Sequence, residues 1–269
     1  MLPRSNVHTH TNFSDGRDSV EQMVLAALDR GFVSLGFSDH GALSIDAAAM
    51  TREAEYRAEV SRIREKYASQ IEIALGYEHD FAAVGSDLSH YDYLIESVHF
   101  LQKDGMHAPI DSSAAILQRA IDEMFAGDPF AMSRSYFDSV CRSITEIPAD
   151  VVGHIGLVTK FNEHNEMFDS SDPRYTGPAR ETIALAAEKD VLVEINTGAM
   201  SRGYRTTPYP SPDLLKLLHS LGGRITITSD CHRAEWIDFA FDSAIDLAKS
   251  AGFREAWIWK NGKFTAEGL

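Results

Sequence analysis

The sequence contains only two cysteines, Cys141 and Cys231, among its 269 residues. This scarcity excludes a disulfide framework and a cysteine-based zinc site. Long apolar runs are also missing, since none approaches the roughly 18 continuous apolar residues needed to cross a bilayer. The segment MLPRSNVHTH enters the first predicted strand at once and leaves no room for a signal peptide. We therefore expect a cytoplasmic protein without a membrane partner.

Basic residues are few, with 25 Lys and Arg against 40 Asp and Glu, and the formal net charge is −15. Such an excess of negative charge argues against binding to a nucleic-acid backbone or an anionic membrane surface. An anionic substrate would need local positive charge, supplied by metal ions or by a few Arg and Lys side chains. The apolar share of 44% and the charged share of 24% are ordinary for a globular chain.

Short β-branched runs alternate with longer amphipathic stretches, which predicts repeated β-α units around a mainly parallel sheet. One predicted helix begins at Asp18 or Ser19 and ends at Gly31, and another covers about 47–68. The predicted strands are 5–9, 33–37, 71–75, 91–98, 151–152, 191–195, 225–228 and 256–259. Seven or eight such strands favour a closed α/β barrel, in which catalytic groups lie at the carboxyl ends of the strands.

The β-α rhythm breaks from Leu101 to about Asp150. No strand is predicted there, only helices at about 112–125 and 136–144. We interpret this segment as an enlarged helical connection over one end of the domain. Without an internal repeat or a low-complexity linker, residues 1–269 are predicted to form a single domain.

Nine potential metal ligands lie at or near the ends of the apolar runs. His8 and His10 are two residues apart, which on a strand directs both imidazoles to one face, and Asp230 and His232 repeat this spacing. A lone buried histidine is more often a hydrogen-bonded core residue, but two pairs within an ordered set favour a multinuclear metal site, typical of hydrolases. The set is His8, His10, Asp15, His40, Glu78, His99, His154, Asp230 and His232.

Glu78 is the natural bridging ligand, because a carboxylate has two oxygens and can serve two ions. Two close cations would lower the pKa of a shared water and stabilise the attacking and leaving oxygens of an in-line displacement. That chemistry suits phosphate ester hydrolysis. The neighbouring His79 should face the other way along the strand, and Cys231, between two predicted ligands, should point outward as a packed thiol.

The strings HTHTNFSDG, SDHG, GYEHD, SVH, GHIG and SDCH, in this order, resemble the polymerase and histidinol phosphatase (PHP) superfamily of metallo-phosphoesterases. The segments ESVHF, DVVGHIGLVTKFN, VEINTGAMSRG and PYPSPDLLKLL are most similar to the histidinol-phosphate phosphatases of that superfamily. The resemblance implies a distorted (β/α)7 barrel with three divalent ions, zinc, manganese or iron, and a metal-bridging hydroxide that attacks phosphorus.

The resemblance also assigns ligands to each ion. His8, His10, Glu78 and Asp230 would hold one ion, Glu78, His99 and His154 a second, and Asp15, His40 and His232 a third. The chain departs from the family at Asn6, where an acidic residue often stands, and the position of Asp15 varies among relatives. Lys160 stands where a phosphate-clamping arginine is expected, and a lysine cannot bind phosphate in the bidentate way.

Arg202, just beyond the run VLVEIN, is predicted to make a second phosphate contact, with Arg205 as the alternative. The alternative for Lys160 and Arg202 is that they are ordinary surface charges, because such residues are common on any protein surface.

The ligand pattern predicts a phosphoric monoester hydrolase, and the resemblance implies that it converts L-histidinol phosphate to L-histidinol and phosphate in histidine biosynthesis. Two alternatives stay open. The chain could act on another small phosphate ester or a nucleotide, or it could be a non-catalytic metal-binding module. The sequence does not indicate an oligomeric state.

Overall fold

The computed structural model describes residues 4–83, 85 and 87–269, so the first three residues of the N-terminal segment considered above lie outside it. In chain order the strands are β1 (Ser5–Asn6), β2 (Ser34–Phe37), β3 (Glu72–Asp80), β4 (Tyr93–Ser97), β5 (Phe100–Lys103), β6 (Met106–Pro109), β7 (Val151–Val152), β8 (Leu192–Asn196), β9 (Arg224–Thr228), β10 (Glu255–Lys260) and β11 (Lys263–Gly268). The helices are α1 (Val20–Asp29), α2 (Glu53–Tyr67), α3 (Ala114–Met124), α4 (Pro129–Glu146), α5 (Pro173–Glu188), α6 (Gly198–Ser201), α7 (Pro212–Ser220) and α8 (Phe241–Ala251).

Seven parallel strands form the central sheet in the order β1-β2-β3-β4-β7-β8-β9. A further parallel bridge joins Thr9 to Cys231, so the chain just beyond β1 meets the chain just beyond β9 and the sheet nearly closes. The predicted distorted (β/α)7 barrel is thereby confirmed. All carboxyl ends of these strands meet at one rim, which is where parallel barrels place their functional groups.

The longer helices each bury one face, and α2 packs against β3 and α8 against β9 of the barrel. In α1 the predicted start is confirmed by a capping box. The Ser19 hydroxyl accepts a hydrogen bond from the Gln22 backbone, and Gln22 Oε1 accepts one from the Ser19 backbone. Helix α2 begins at Glu53, later than the predicted residue 47. The preceding residues are held in a loop instead, where Ala48 donates to the Asp46 carboxylate and Met50 donates to the backbone oxygen of His40.

The segment after β4 differs from its prediction, because a hairpin of β5 and β6 precedes helices α3 and α4. Its turn consists of Asp104 and Gly105, both with positive φ. Asp-Gly is a strong signal for a two-residue hairpin turn. The strands FLQK and MHAP carry little period-2 alternation, which explains why no strand was predicted from their sequence.

The predicted last barrel strand at 256–259 is wrong in its placement. Strand β10 pairs antiparallel with β11 through an Asn261-Gly262 turn and stays outside the seven-stranded sheet. The Trp259 ring packs against Tyr93, and the Ser34 hydroxyl donates to the Trp259 backbone oxygen. The hairpin therefore covers the amino ends of the barrel strands, opposite the rim that carries the candidate ligands. No helix in the described ranges is long and apolar enough to span a membrane.

Candidate metal centre

The nine predicted ligands converge at the carboxyl rim of the barrel. They fall into four overlapping groups, and within each group one potential ligand atom per residue lies within 4.8 Å of the others. The groups are His10, Asp15, His40 and His232; His8, His10 and Asp230; His8, Glu78 and His154; and His40, Glu78 and His99. Their function as ligands stays a prediction, but the proximity that it requires is present.

Glu78 lies at the centre, near the end of β3, and is 1% exposed. Its Oε1 lies 3.3 Å from His8 Nε2 and 3.2 Å from His154 Nε2. Its Oε2 lies 2.9 Å from His40 Nδ1 and 3.5 Å from His10 Nε2. Oε1 also lies 3.6 Å from His99 Nε2, so the two oxygens face different sets of imidazoles, as a bridging carboxylate requires.

Asp230 follows β9 with φ of 45°, in the left-handed region that a non-glycine residue seldom adopts. Its Oδ1 lies 3.1 Å from His10 Nε2, and Arg202 donates to its Oδ2 at 3.1 Å and to its backbone oxygen at 3.0 Å. A Cβ at Gly198 would lie 2.7 Å from Asp230 Oδ2, so this position has no room for a side chain. Backbone strain of this kind clusters at functional sites.

Asp15 and His232 form the outer part of the cluster. His232 Nε2 lies 3.1 Å from Asp15 Oδ2, and His40 Nε2 lies 3.7 Å from Asp15 Oδ1. The Asp15 side chain is 36% exposed, whereas those of His8 and His10 are fully buried. This part of the cluster is consequently the one most open to solvent.

The donor atoms fit a group of bound cations. Among the described residues, His8 Nε2, both ring nitrogens of His10, Glu78 Oε2 and His154 Nδ1 are buried without a hydrogen-bond partner. A buried polar atom without a partner is costly, and a cation is one partner that could satisfy several of them together. Imidazole and carboxylate donors without thiolate suit zinc, manganese or iron.

The protein without ions must balance these charges by protonation. Although burial opposes it, the Glu78 and Asp15 carboxylates raise the pKa of His40 to about 10. Glu78 and Asp80 likewise raise the pKa of His99 to about 9 against its burial. For His10, burial and the neighbouring His232 and His40 lower the pKa to about 3. The cluster therefore holds both protonated and neutral imidazoles at neutral pH.

Two carboxylates support the cluster and were missed in the sequence. Glu194, on β8, accepts from His8 Nδ1 at 2.8 Å, from the His154 backbone at 2.6 Å and from Thr228 at 2.7 Å. Asp80 lies 3.1 Å from His99 Nδ1. Carboxylates behind ligand histidines fix the tautomer and the ring orientation. Asp80 could have been found from its spacing of two from Glu78, while Glu194 gave no signal beyond its place within a predicted strand.

Asn6 has a structural function in this chain. Its side-chain oxygen accepts from the His8 backbone at 3.1 Å, and its amide donates to Ser229 Oγ at 2.7 Å and to the Ile237 backbone. The carboxylate behind His8 comes from Glu194 instead, so the departure at Asn6 does not leave His8 Nδ1 without support.

A cavity of about 600 Å³ opens above the cluster and is lined by Lys160 and Arg202. Lys160 is 6% exposed and donates to the backbone oxygen of Asp111 at 2.7 Å. Arg205 is not among the lining residues, and its guanidinium donates to the Thr159 backbone oxygen at 2.9 Å. Of the two arginines considered for phosphate contact, the structure favours Arg202.

A nearly closed parallel barrel with clustered His, Asp and Glu side chains at its carboxyl rim defines a class of protein, one built around a multi-metal site. The comparisons with known proteins identify the family. The PHP domain model matches residues 6–198, which is most of the chain. This chain belongs to the PHP domain family.

Three proteins that are similar to this chain along nearly their whole length are named as histidinol phosphatases. The histidinol-phosphatase of Bacillus subtilis is 25% identical over 271 residues, covering 91% of this chain and 99% of that protein. The HisK structure from Listeria monocytogenes, described as a histidinol phosphatase, has a TM-score of 0.78 and 25% identity and covers 89% of this chain and 99% of that one. The histidinol phosphate phosphatase of Lactococcus lactis, solved with zinc, L-histidinol and phosphate, has a TM-score of 0.76 and 22% identity over 98% of this chain and 100% of that one.

Proposed function

We propose that this chain is a metal-dependent phosphomonoesterase that hydrolyses L-histidinol phosphate to L-histidinol and phosphate. The observation that carries the proposal is the convergence of four potential ligand groups around Glu78, beneath a cavity lined by a lysine and an arginine. The B. subtilis histidinol-phosphatase, similar over 91% of this chain, supports the substrate. The alternative of a non-catalytic metal-binding module offers no reason for two cationic side chains beside the cluster.

The three predicted ion sites draw their ligands from these four overlapping groups, although His99 and His154 belong to separate groups that share Glu78. His8, His10 and Asp230 would hold one ion, with Glu78 between it and a second ion at His99 and His154. Asp15, His40 and His232 would hold the third, with His10 within reach. Bound ions of this kind lower the pKa of coordinated water and bind phosphate oxygens.

The chain's own residues supply the remaining functions. Arg202 holds Asp230 through two hydrogen bonds and presents positive charge to the cavity. Lys160 adds a second positive charge at the wall of the cavity, where it can attract a phosphate without bidentate geometry. Glu194 keeps the His8 Nδ1 proton engaged, so that Nε2 faces the cluster.

Removal and return of metal test the proposal. Protein stripped with a strong chelator and verified metal-free should lose hydrolysis of histidinol phosphate, and added Zn²⁺ or Mn²⁺ should restore it. A panel with a nucleoside monophosphate and p-nitrophenyl phosphate distinguishes the proposed substrate from another small ester. An undiminished rate in verified metal-free protein would contradict the proposal, and a silent panel with full metal content would favour a binding module.

The proposed partner is a small phosphate ester and not nucleic acid, in keeping with the net charge of −15. A cytoplasmic location belongs to the same proposal, since histidinol phosphate is an intermediate of amino-acid biosynthesis.

A further inference from the structure

Two carboxylates on the cavity wall, Asp46 and Asp111, belong to none of the four potential ligand groups. Asp111 follows β6 and lines the cavity together with His99, His154 and Lys160. The backbone of the preceding Ile110 donates to the His99 backbone oxygen at 2.9 Å, which fixes this segment beside the cluster. The Asp111 side chain is 31% exposed, so a molecule in the cavity can reach it.

The Asp111 carboxylate is only partly engaged by the protein. Lys160 Nζ donates to the Asp111 backbone oxygen at 2.7 Å and to the carboxylate Oδ2 at 3.3 Å. The shorter contact therefore does not involve the carboxylate. Within the described residues, the other carboxylate oxygen has no hydrogen-bond partner. Although burial opposes ionisation, His99 and Lys160 hold the pKa of Asp111 below its usual value, so this group is an anion at neutral pH.

An anion in this position is unfavourable for phosphate alone. Lys160 and Arg202 line the same cavity and attract a phosphate, whereas the charge of Asp111 repels it. Asp46 is the other wall carboxylate outside the ligand groups, and its Oδ1 is engaged by the backbone of Ala48 at 2.8 Å. A partly free carboxylate beside a phosphate site is suited to a substrate that carries a cation close to its phosphate ester.

We propose that Asp111 determines specificity by binding an ammonium group on the alcohol part of the substrate. The inference rests on the proposed function and narrows it to phosphate esters that carry a positive charge near the ester oxygen. The phosphate faces the cluster with Lys160 and Arg202, and the ammonium donates to the free oxygen of Asp111.

Two small esters of matched size test this inference on the metal-loaded protein. Phosphoethanolamine carries an ammonium two carbons from the ester oxygen, whereas propyl phosphate has a methyl group there. Histidinol phosphate has the same two-carbon spacing. The ratio of kcat/KM for phosphoethanolamine to that for propyl phosphate should exceed one in the unchanged protein. It should fall roughly ten- to hundredfold in Asp111→Asn, the range for loss of a charge-assisted hydrogen bond.

Two further variants separate this effect from a structural one. Asp104→Asn removes a charge from the turn of the same hairpin, where Asp104 is exposed and outside the cavity, and it should leave the ratio unchanged. Asp111→Glu restores the charge and should recover part of the preference. Metal content and Tm, measured on every variant, show that the cluster and the fold are intact.

The outcomes distinguish this inference from the function on which it rests. If Asp111→Asn slows both esters equally, Asp111 serves only to hold Lys160, and the inference is overturned. If Asp111→Asn changes the rate of neither ester, the inference is overturned as well, while the phosphatase function still stands. If the unchanged, metal-loaded protein hydrolyses neither ester nor histidinol phosphate, both the function and the inference fail.

Discussion

Two buried glutamate–histidine pairs on opposite sides of the barrel wall have nearly the same geometry. His8 Nδ1 lies 2.8 Å from Glu194, and His79 Nδ1 lies 2.7 Å from Glu96. Only the first pair leaves a ring nitrogen facing the cluster, at 3.3 Å from Glu78. His79 follows Glu78 on β3 and so lies on the opposite face, beside the Tyr77 ring.

A histidine that is buried and supported by a carboxylate is therefore not necessarily placed to bind a metal ion. The deciding factor is the side of the strand, because only the inner side reaches the other donors at the rim. In the outer pair the carboxylate is also less stabilised, since burial raises the pKa of Glu96 to about 7 despite His79. Substitutions on the two sides of the barrel wall test this contrast between the inner and outer pairs.

The largest loss of activity is expected from a substitution of Glu78, at the centre of the inner side. Glu78→Gln keeps the size of the side chain but leaves one oxygen in place of two, so it can no longer present an oxygen to both sets of imidazoles. We expect kcat/KM for histidinol phosphate to fall by more than the roughly hundredfold that loss of a residue supporting a ligand causes. Steady-state kinetics together with metal analysis measure this loss.

The matched control for Glu78→Gln is the neighbouring outward residue. His79→Gln should retain most of the rate, because its ring does not belong to any group of potential ligands among the described residues. Equal losses of activity in Glu78→Gln and His79→Gln would show that activity depends on the position along β3 and not on which face of the strand a residue occupies.

A second prediction concerns pH and uses the inner histidines. His40, with a pKa of about 10, and His99, with a pKa of about 9, are protonated at neutral pH without ions. Each must lose its proton to bind a metal, so binding releases protons and tightens as pH rises toward 9. Despite its burial, Glu194, Glu78 and Asp230 also raise the pKa of His8, so at least two protons are released, and two correspond to about a hundredfold change in apparent affinity per pH unit. Calorimetry of Zn²⁺ binding in buffers of different ionisation enthalpy counts them.

The stability of the metal-free protein should change with pH in the opposite direction. Because these two pKa values are raised above about 6.5, the stabilisation they give is complete below that pH. It is lost progressively as pH rises from about 6.5 to about 10. The Tm of the metal-free protein should therefore fall across this interval, whereas that of the metal-loaded protein should fall less. A flat Tm profile for the metal-free protein would contradict the assigned charges.

The barrel and the convergence of the nine residues could be predicted because both depend on local patterns. Strand-like runs ending in His, Asp or Glu are visible in the sequence, and the carboxyl ends of parallel strands necessarily meet. The β5–β6 hairpin was missed because its short strands alternate poorly, although Asp104-Gly105 marked its turn. Strand β10 was misplaced because periodicity does not state which strand a run pairs with. Asp111 gave no signal, since its importance arises from a segment that folds back beside His99.

The smallest expected effect compares the two supporting glutamates directly. Glu194 accepts hydrogen bonds from His8, from the His154 backbone and from Thr228. Glu194→Gln keeps one accepting oxygen and replaces the other with an NH₂ group, so the donors at that second position lose their acceptor. Zn²⁺ affinity, measured by competition with a chromogenic chelator, should fall about 10- to 100-fold.

Glu96→Gln makes the equivalent change in the outer pair, and we expect it to leave Zn²⁺ affinity within about threefold while changing Tm. Such a result would show that the two pairs differ because of what each histidine faces, and not because of how strongly its carboxylate partner holds it. If both variants weaken Zn²⁺ binding alike, the outer pair also supports the cluster, through Glu78, which precedes His79 on β3. The inner side of the barrel alone would then not define the site.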